Sequence, residues 1–163
     1  MDRALVSIPV STLAALALLS AWIGAAIFVA AVVAPAAFAV LPSRTLAGAL
    51  VGRVLPVLFL SGTLIGVASA AITWQLPGRA GRSIGALILV VACGAAQFVV
   101  APRIERIRAA IAGPMDALAP GDARRVAFGR LHGVSVGLLA VAALAALVTV
   151  ALLIFTSESN HDG

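Results

Sequence analysis

The feature of the sequence that most restricts its fold is a long stretch without charge near the amino end. No Asp, Glu, Lys or Arg occurs between Arg3 and Arg44, and the stretch contains the 22-residue apolar run Leu13–Ala34. A helix needs about 20 such residues to cross the hydrocarbon core of a bilayer. Because the core lacks water, the backbone must satisfy its hydrogen bonds within the segment, which favours a helix. The run is therefore predicted to span a membrane.

Three further apolar segments have the same character. They cover residues 54–74, 83–101 and 131–155, and the first run covers 13–34. Charged residues make up 10% of the chain and hydrophobic residues 63%, whereas a soluble domain is about 25% charged. Lipid is therefore expected to cover most of the surface. The sequence predicts an all-α, four-helix transmembrane bundle that forms one domain over residues 1–163.

The basic residues are unevenly divided between the two sides of this predicted bundle. The first and third loops hold eight of the eleven arginines, namely Arg44, Arg53, Arg103, Arg106, Arg108, Arg124, Arg125 and Arg130. The other side holds Arg3, Arg79 and Arg82. Because arginine-rich loops stay in the cytoplasm, we expect both termini outside, in a bacterial-type inner (plasma) membrane. The arginines flank apolar segments, so the expected partner is the lipid bilayer and not nucleic acid.

The third loop is predicted to contain an interfacial helix. Ile104, Ile107 and Ile111 share one helical face, and charged side chains occupy the rest. This pattern is typical of a short amphipathic helix on the membrane surface. The alternative is that the third helix extends into the cytoplasm, but Pro102 favours a kink or a break there. A new helix is expected at Asp122, a suitable N-cap, and should run unbroken into the fourth span.

Small residues on the spans predict close helix contacts. Without a hydrophobic drive between helices in lipid, association depends on close backbone approach at such residues. The candidates for helix packing are Gly62, Gly66, Gly85, Gly129, Gly133 and Gly137. One interpretation is packing inside the four-helix bundle. The other is that one glycine face binds another membrane protein or a second copy of the chain.

Few chemically reactive groups occur inside the predicted spans. They contain no Asp, Glu, Lys or Arg, which disfavours a proton pump. The one histidine and one cysteine within them, His132 and Cys93, are too few for a zinc or copper site. A single histidine is still compatible with haem ligation. No metal and no cofactor is predicted. A Ser-His-acid arrangement lacks its acid within the span, so no catalytic residue is proposed and the chain is not expected to be an enzyme.

The remaining polar residues form one candidate cluster at the predicted cytoplasmic ends of the helices. Its members are His132, Ser135, Gln97, Arg103, Arg125 and Arg53, with Trp22 nearer mid-span. One hypothesis is a small polar pocket, open to the cytoplasm, for an anionic or metal-bearing ligand. The alternative is structural, with His132 and Ser135 hydrogen-bonded to Gln97 or to backbone carbonyls. In that alternative the arginines reach the lipid phosphates.

Several local motifs occur in a characteristic order. They are Trp22-Ile23-Gly24 with Phe28, Ala34-Pro35 with Phe38, Leu41-Pro42, Ala47-Gly48 with Gly52 and Pro56, Ala101-Pro102-Arg103-Ile104, and Phe128 with Leu131-His132-Gly133-Val134-Ser135. In this order the chain resembles the transmembrane protein 205-like family, although its third loop is short and it lacks tyrosine. The resemblance implies the same four-span fold and no established enzymatic activity. The residues that it singles out are Trp22, Pro35, Pro102, Arg103, His132 and Ser135.

Two functional hypotheses follow from the sequence. The first is a non-enzymatic membrane protein that acts as an accessory or scaffold component or associates with itself. The second is the binding or transport of a small molecule, metal or haem through the cytoplasm-facing polar pocket.

Overall fold

A computed structural model describes residues 9–75 and 79–158, and within them it contains helices and no strand. Helix α1 is Val10–Val40, α2 is Arg44–Trp74, α3 comprises Arg79–Ala95, Ala96–Val100 and Ala101–Ala109, and α4 is Ala123–Glu158. A 3₁₀ turn, Met115–Ala117, lies between α3 and α4. The predicted all-α four-helix bundle is confirmed. Arg3 and both chain ends lie outside the described residues.

All four helices are long and apolar enough to cross a membrane, so the chain is a multi-pass membrane protein. Each predicted span lies inside a longer helix. The extensions are largest toward the end of the bundle where the eight arginines of the first and third loops lie, here called the arginine-rich end. Helix α2, for example, begins at Arg44, because the Ser43 side chain caps it by accepting a hydrogen bond from the backbone N–H of Leu46. Pro56, near the start of the predicted span 54–74, therefore lies well inside α2.

Prolines do not break α1 or α3, so of the kink or break expected at Pro102, the break does not occur. Each proline follows a π-helical turn, Val29–Val33 before Pro35 and Ala96–Val100 before Pro102. A proline in a helix lacks an N–H and crowds the carbonyl four residues earlier. The wider turn accommodates it, because the residue before each proline donates to a carbonyl five residues back, from Ala34 to Val29 and from Ala101 to Ala96.

The amphipathic segment of the third loop is therefore the last part of α3. Ala101–Ala109 is helical, as predicted, but it continues the third span without interruption. Its apolar face lies toward the bundle, since Ile104 lines a cavity between the helices, as does Ile111 two residues beyond its end. The alternative of a third helix that extends beyond its span is the one the structure shows.

The predicted start of the fourth helix is confirmed. Asp122 Oδ1 accepts a hydrogen bond of 2.8 Å from the backbone N–H of Arg124, and its carboxylate pairs with the Arg124 guanidinium at 2.9 Å. Helix α4 then runs unbroken from Ala123 to Glu158. This cap is appropriate because the first turn of a helix leaves backbone N–H groups without intrahelical acceptors.

Three helices meet closely at Gly62 in the middle of the bundle. The Trp22 indole N–H donates a hydrogen bond of 2.9 Å to the carbonyl of Leu58. A Cβ atom at Gly62 would lie 2.7 Å from both Trp22 Nε1 and Cys93 Sγ. Trp22, one of the predicted site residues, is consequently a buried contact between α1 and α2, and it does not line the cavity at the arginine-rich end.

The glycine predictions divide into two groups. A Cβ at Gly66 would lie 2.7 Å from Val90 Cγ2, and one at Gly85 would collide with Thr149 Oγ1, so these glycines do permit close packing. The predicted packing inside the bundle is wrong for Gly129, Gly133 and Gly137, because a Cβ at any of them meets nothing within 4 Å. These three glycines face outward from α4.

Candidate functional site

A cavity of about 590 Å³ lies between all four helices at the arginine-rich end. Most of its wall is apolar, with large side chains Phe38, Val51, Leu55, Phe59, Ile104 and Ile111. Seven polar or charged side chains also line it, namely Arg44, Thr45, Glu105, Arg108, Asp116, His132 and Ser135. An apolar cavity with a few polar groups is the usual form of a small-molecule site.

Arg108, from the last turn of α3, connects three helices at this cavity. Its Nη1 lies 3.1 Å from Glu105 Oε1, and its Nη2 donates a hydrogen bond of 3.3 Å to the carbonyl of Gly48 on α2. The guanidinium carbon lies 5.4 Å from the centre of the Phe128 ring on α4, within range of a cation–π interaction. The side chain is 31% exposed, so the guanidinium is fixed in place but still accessible.

Two glycines on α2 make room for this guanidinium. A Cβ at Gly52 would lie 2.7 Å from Arg108 Nη1, whereas a Cβ at Gly48 would be 3.8 Å from Nη2. Any side chain at position 52 would therefore displace the guanidinium. Pro56 lies four residues after Gly52, and because proline has no N–H, the Gly52 carbonyl lacks its usual intrahelical donor.

Helix α4 contributes the opposite wall. Phe128, His132 and Ser135 follow one another at spacings of four and three, which places them along one helical face. The Phe128 and His132 rings are nearly parallel, at 5° with centroids 6.2 Å apart. Ser135 is buried at the inner end of this row, and His132 is exposed nearer the mouth. Arg108, Phe128 and His132 thus form one continuous row of contacts.

A comparison with family models identifies the type of chain. The model of a domain of unknown function, DUF4149, matches residues 17–112, which is more than half of the 163 residues. The chain belongs to this family. No curated protein and no solved structure matches it. The match is to an uncharacterised domain and does not confirm the more specific resemblance to the transmembrane protein 205-like family.

The DUF4149 match includes only part of the cavity wall. It begins within α1 and ends three residues after Ala109, so it contains Gly48, Gly52, Glu105 and Arg108. It ends before α4, which supplies Phe128, His132 and Ser135. The guanidinium of Arg108 and its α2 contacts therefore lie within the family domain, and the α4 wall lies outside the matched residues.

Two of the predicted site residues lie where the pocket hypothesis placed them. His132 and Ser135 both line the cavity. The structure does not show the hydrogen bonds of the structural alternative: in the described part of the chain, neither side chain bonds to Gln97 or to a backbone carbonyl. Gln97 lies in the π turn of α3, where its Oε1 is buried and has no hydrogen-bond partner among the described residues, and it does not line the cavity.

The three predicted arginines are not among the residues that line the cavity. Arg103 Nη1 donates to the carbonyl of Val99, and Arg125 Nη1 donates to the carbonyl of Leu118. Arg53 is exposed on α2. Sequence reasoning chose these three and missed Arg108 and Arg44. One available signal was the Gly48–Gly52 pair, which provides space on α2 for a large side chain from another helix.

The charges at this end favour anions. Eight arginines and three acidic residues (Glu105, Asp116 and Asp122) leave an excess of five positive charges, eight minus three. Such an excess raises the local concentration of anions. Within the described residues, no group of three His, Cys, Asp or Glu side chains is arranged to hold a metal ion. The donors available at the cavity are therefore guanidinium, imidazole and hydroxyl groups.

Proposed function

We propose that this chain is a non-enzymatic membrane protein that binds a small molecule in the cavity at the arginine-rich end. The observation that supports this proposal is the cavity of about 590 Å³ between the four helices. Its wall is mostly apolar but includes Arg44, Arg108, His132 and Ser135. Ligand sites usually have volumes of roughly 300–1,000 Å³ and this mixture of groups. No hydrogen bond joins Ser135 and His132 in the described residues, which argues against acyl transfer.

The proposal includes an orientation, with the cavity open to the cytoplasm. Eight of the eleven arginines lie at the cavity end, and short loops rich in arginine are retained on the cytoplasmic side of an inner membrane. A ligand would then enter from the cytoplasm or from the inner leaflet, which are the compartments next to this end.

The resemblance to the transmembrane protein 205-like family supports the same site. Motif residues from all four helices line the cavity, namely Phe38, Gly48, Gly52, Pro56, Ala101, Ile104, Phe128, His132 and Ser135. We infer that the chain is related to that family and that the shared motif marks a binding site. The contacts of Arg108 with Gly48 and Phe128 give two of these positions a physical role.

Blocking the cavity tests the binding proposal. Ala49 lines the cavity and is exposed, so Ala49→Trp should fill the site without disturbing the core. Leu50, the next residue, is 45% exposed and does not line the cavity, so Leu50→Trp is the matched control. Native mass spectrometry in a non-ionic detergent measures binding of three probes with one chain length, dodecyl phosphate, dodecanoate and dodecanol.

We expect the wild-type chain and Leu50→Trp to bind at least one of these probes with one-to-one stoichiometry, and Ala49→Trp to lose this binding. If no probe binds, or if both tryptophan variants weaken binding equally, the proposal is wrong.

A second candidate function, self-association, is favoured by the outward glycines of α4. Gly129, Gly133 and Gly137 are spaced by four and face open space. This small-residue stripe is the type of surface on which transmembrane helices approach closely. We propose that a second copy of the chain binds there, because the same stripe on both copies makes a self-complementary two-fold contact.

The self-association proposal predicts a dimer that a bulky residue prevents. Gly133→Leu should give a monomer, while Gly24→Leu, also at a site with nothing within 4 Å but on α1, should remain dimeric. Analytical ultracentrifugation in detergent measures the mass of each variant. A monomeric wild-type chain, or dimers of all three proteins, would contradict this proposal.

A further inference from the structure

We infer that the ligand of the cavity is an amphiphile with an anionic head group, which replaces Glu105 on the guanidinium of Arg108. This inference rests on the proposed function, because it specifies what the cavity binds. It follows from the position of one fixed arginine, the weakness of its present carboxylate partner and the apolar wall beyond it.

Arg108 is positioned before any ligand arrives. The ring of Phe128 lies 5.4 Å from the guanidinium carbon, and Gly48 and Gly52 accommodate the group on the other helix. A guanidinium has five N–H donors. In the structure one contact is made to Glu105 and one to the Gly48 carbonyl. The donor now used by Glu105 and the remaining donors can therefore bind an oxyanion of a ligand with little loss of side-chain freedom.

The present partner of Arg108 is easily replaced. Glu105 lies three residues earlier on the same helix, and its side chain is 64% exposed. Exposed ion pairs of this kind contribute little, because solvent screens them and two flexible side chains must be ordered. A phosphate or carboxylate on a ligand offers the same oxygen acceptors. Glu105 thus occupies the position that the head group of the ligand would take.

The rest of the cavity requires an apolar body attached to that head group. Beyond Arg108 the wall consists largely of Leu55, Phe59, Ile104 and Phe128. A free inorganic anion would contact Arg108 but leave this surface unfilled. An alkyl or isoprenoid chain would cover it, and the removal of this apolar surface from water would favour binding.

Removal of the charge at Glu105 distinguishes an anionic ligand, as inferred here, from a cationic one. If Glu105 competes with an anionic ligand, Glu105→Gln removes the competitor and strengthens binding. If instead the ligand is a cation that pairs with Glu105 or Asp116, the same substitution weakens binding. The direction of this one change therefore reports the sign of the ligand charge.

The experiment compares head groups on one chain length by native mass spectrometry. The probes are dodecyl phosphate, dodecanol, dodecyltrimethylammonium and inorganic phosphate. We expect dodecyl phosphate to bind most tightly and inorganic phosphate weakly. Glu105→Gln should strengthen dodecyl phosphate binding about two- to fivefold, and Arg108→Gln should weaken it at least about tenfold. Neither change should alter dodecanol binding.

One control and one second readout keep the result interpretable. Arg103→Gln removes another arginine of α3 that donates to Val99 and does not line the cavity, so it should leave dodecyl phosphate binding unchanged. If Arg108→Gln does not fold, the increase expected for Glu105→Gln still decides the inference.

A further experiment in nanodiscs with phosphatidylglycerol tests whether the ligand is a membrane lipid. Competition between this lipid and dodecyl phosphate indicates a lipid head group, and no competition indicates a free amphiphile.

Tighter binding of the cationic probe, or weaker dodecyl phosphate binding in Glu105→Gln, would overturn the inference. In that case dodecanol binding that is lost in Ala49→Trp would still support the cavity as a binding site. If the wild-type chain binds none of the probes, the proposed function itself is wrong.

Discussion

Gly62 shows how one absent side chain sets the distance between three helices. Its hydrogen atom faces Trp22 and Cys93, and a methyl group there would lie 2.7 Å from atoms of both. Neither neighbour can move easily, because Cys93 is fully buried and the Trp22 indole donates a hydrogen bond to Leu58. The close contact therefore depends on glycine at this position.

We expect Gly62→Ala to lower the free energy of unfolding by about 1–3 kcal/mol, the usual cost of overpacking a core. Gly24→Ala is the control, since Gly24 has nothing within 4 Å, and alanine there should be neutral or slightly stabilising. Thermal unfolding followed by circular dichroism in detergent measures both. Equal effects of the two substitutions would contradict the close contact.

Sequence reasoning found His132 and Ser135 but not Arg108, for a physical reason. A histidine and a buried serine in an apolar span stand out, because polar groups there are costly. Arg108 is one of six arginines in the third loop, and nothing local separates it from Arg103 or Arg125. Its role depends on the distant residues Gly48 and Phe128, which only the fold brings near it.

At the scale of the helix, the apolar spans and the start of α4 were predicted well, whereas the start of α2 and the continuity of α3 were not. Hydropathy identifies the apolar part of each helix, but α2 begins ten residues before Val54, at a capped turn that is not apolar. A kink or a break was expected at Pro102, and the break does not occur, because rules for proline consider a regular α-helix. The π turns Val29–Val33 and Ala96–Val100 accommodate the proline rings that follow them. Helix propensities do not predict such turns.

The start of α4 gives a pH-dependent prediction. The Arg124 side chain, together with backbone N–H groups of α4, stabilises the charged carboxylate and lowers the pKa of Asp122 from 3.8 to about 2. This contribution to stability is fully present above pH 3.8 and is lost as the pH falls toward 2. We therefore expect Asp122→Asn to lower the Tm at pH 6.

The control for this prediction is the same pair of proteins near pH 2, where the difference in Tm should largely vanish. Asparagine keeps an oxygen acceptor for the backbone N–H of Arg124, so the comparison isolates the charge. A difference in Tm that does not change between pH 6 and pH 2 would show that the charge of Asp122 does not stabilise the helix start.

At the scale of the whole molecule, the antiparallel order of the four helices brings distant residues to one place. The end of α1, the start of α2, the end of α3 and the start of α4 meet at the arginine-rich end, and their side chains enclose the cavity. The sequence predicted a pocket at this end from polar residues and arginine counts. Its apolar lining and its volume depend on how far the helices separate there, which no local pattern specifies.

The central claim is that this cavity opens to the cytoplasm and binds an anionic amphiphile. The most direct measurement is the labelling of Ala49→Cys by a membrane-impermeant maleimide in oriented membrane vesicles, with Leu50→Cys as the reference; the native Cys93 is buried. We predict that both positions react only in inside-out vesicles and that dodecyl phosphate slows the reaction at position 49 alone. Labelling in right-side-out vesicles, or equal rates with and without dodecyl phosphate at position 49, would contradict the claim.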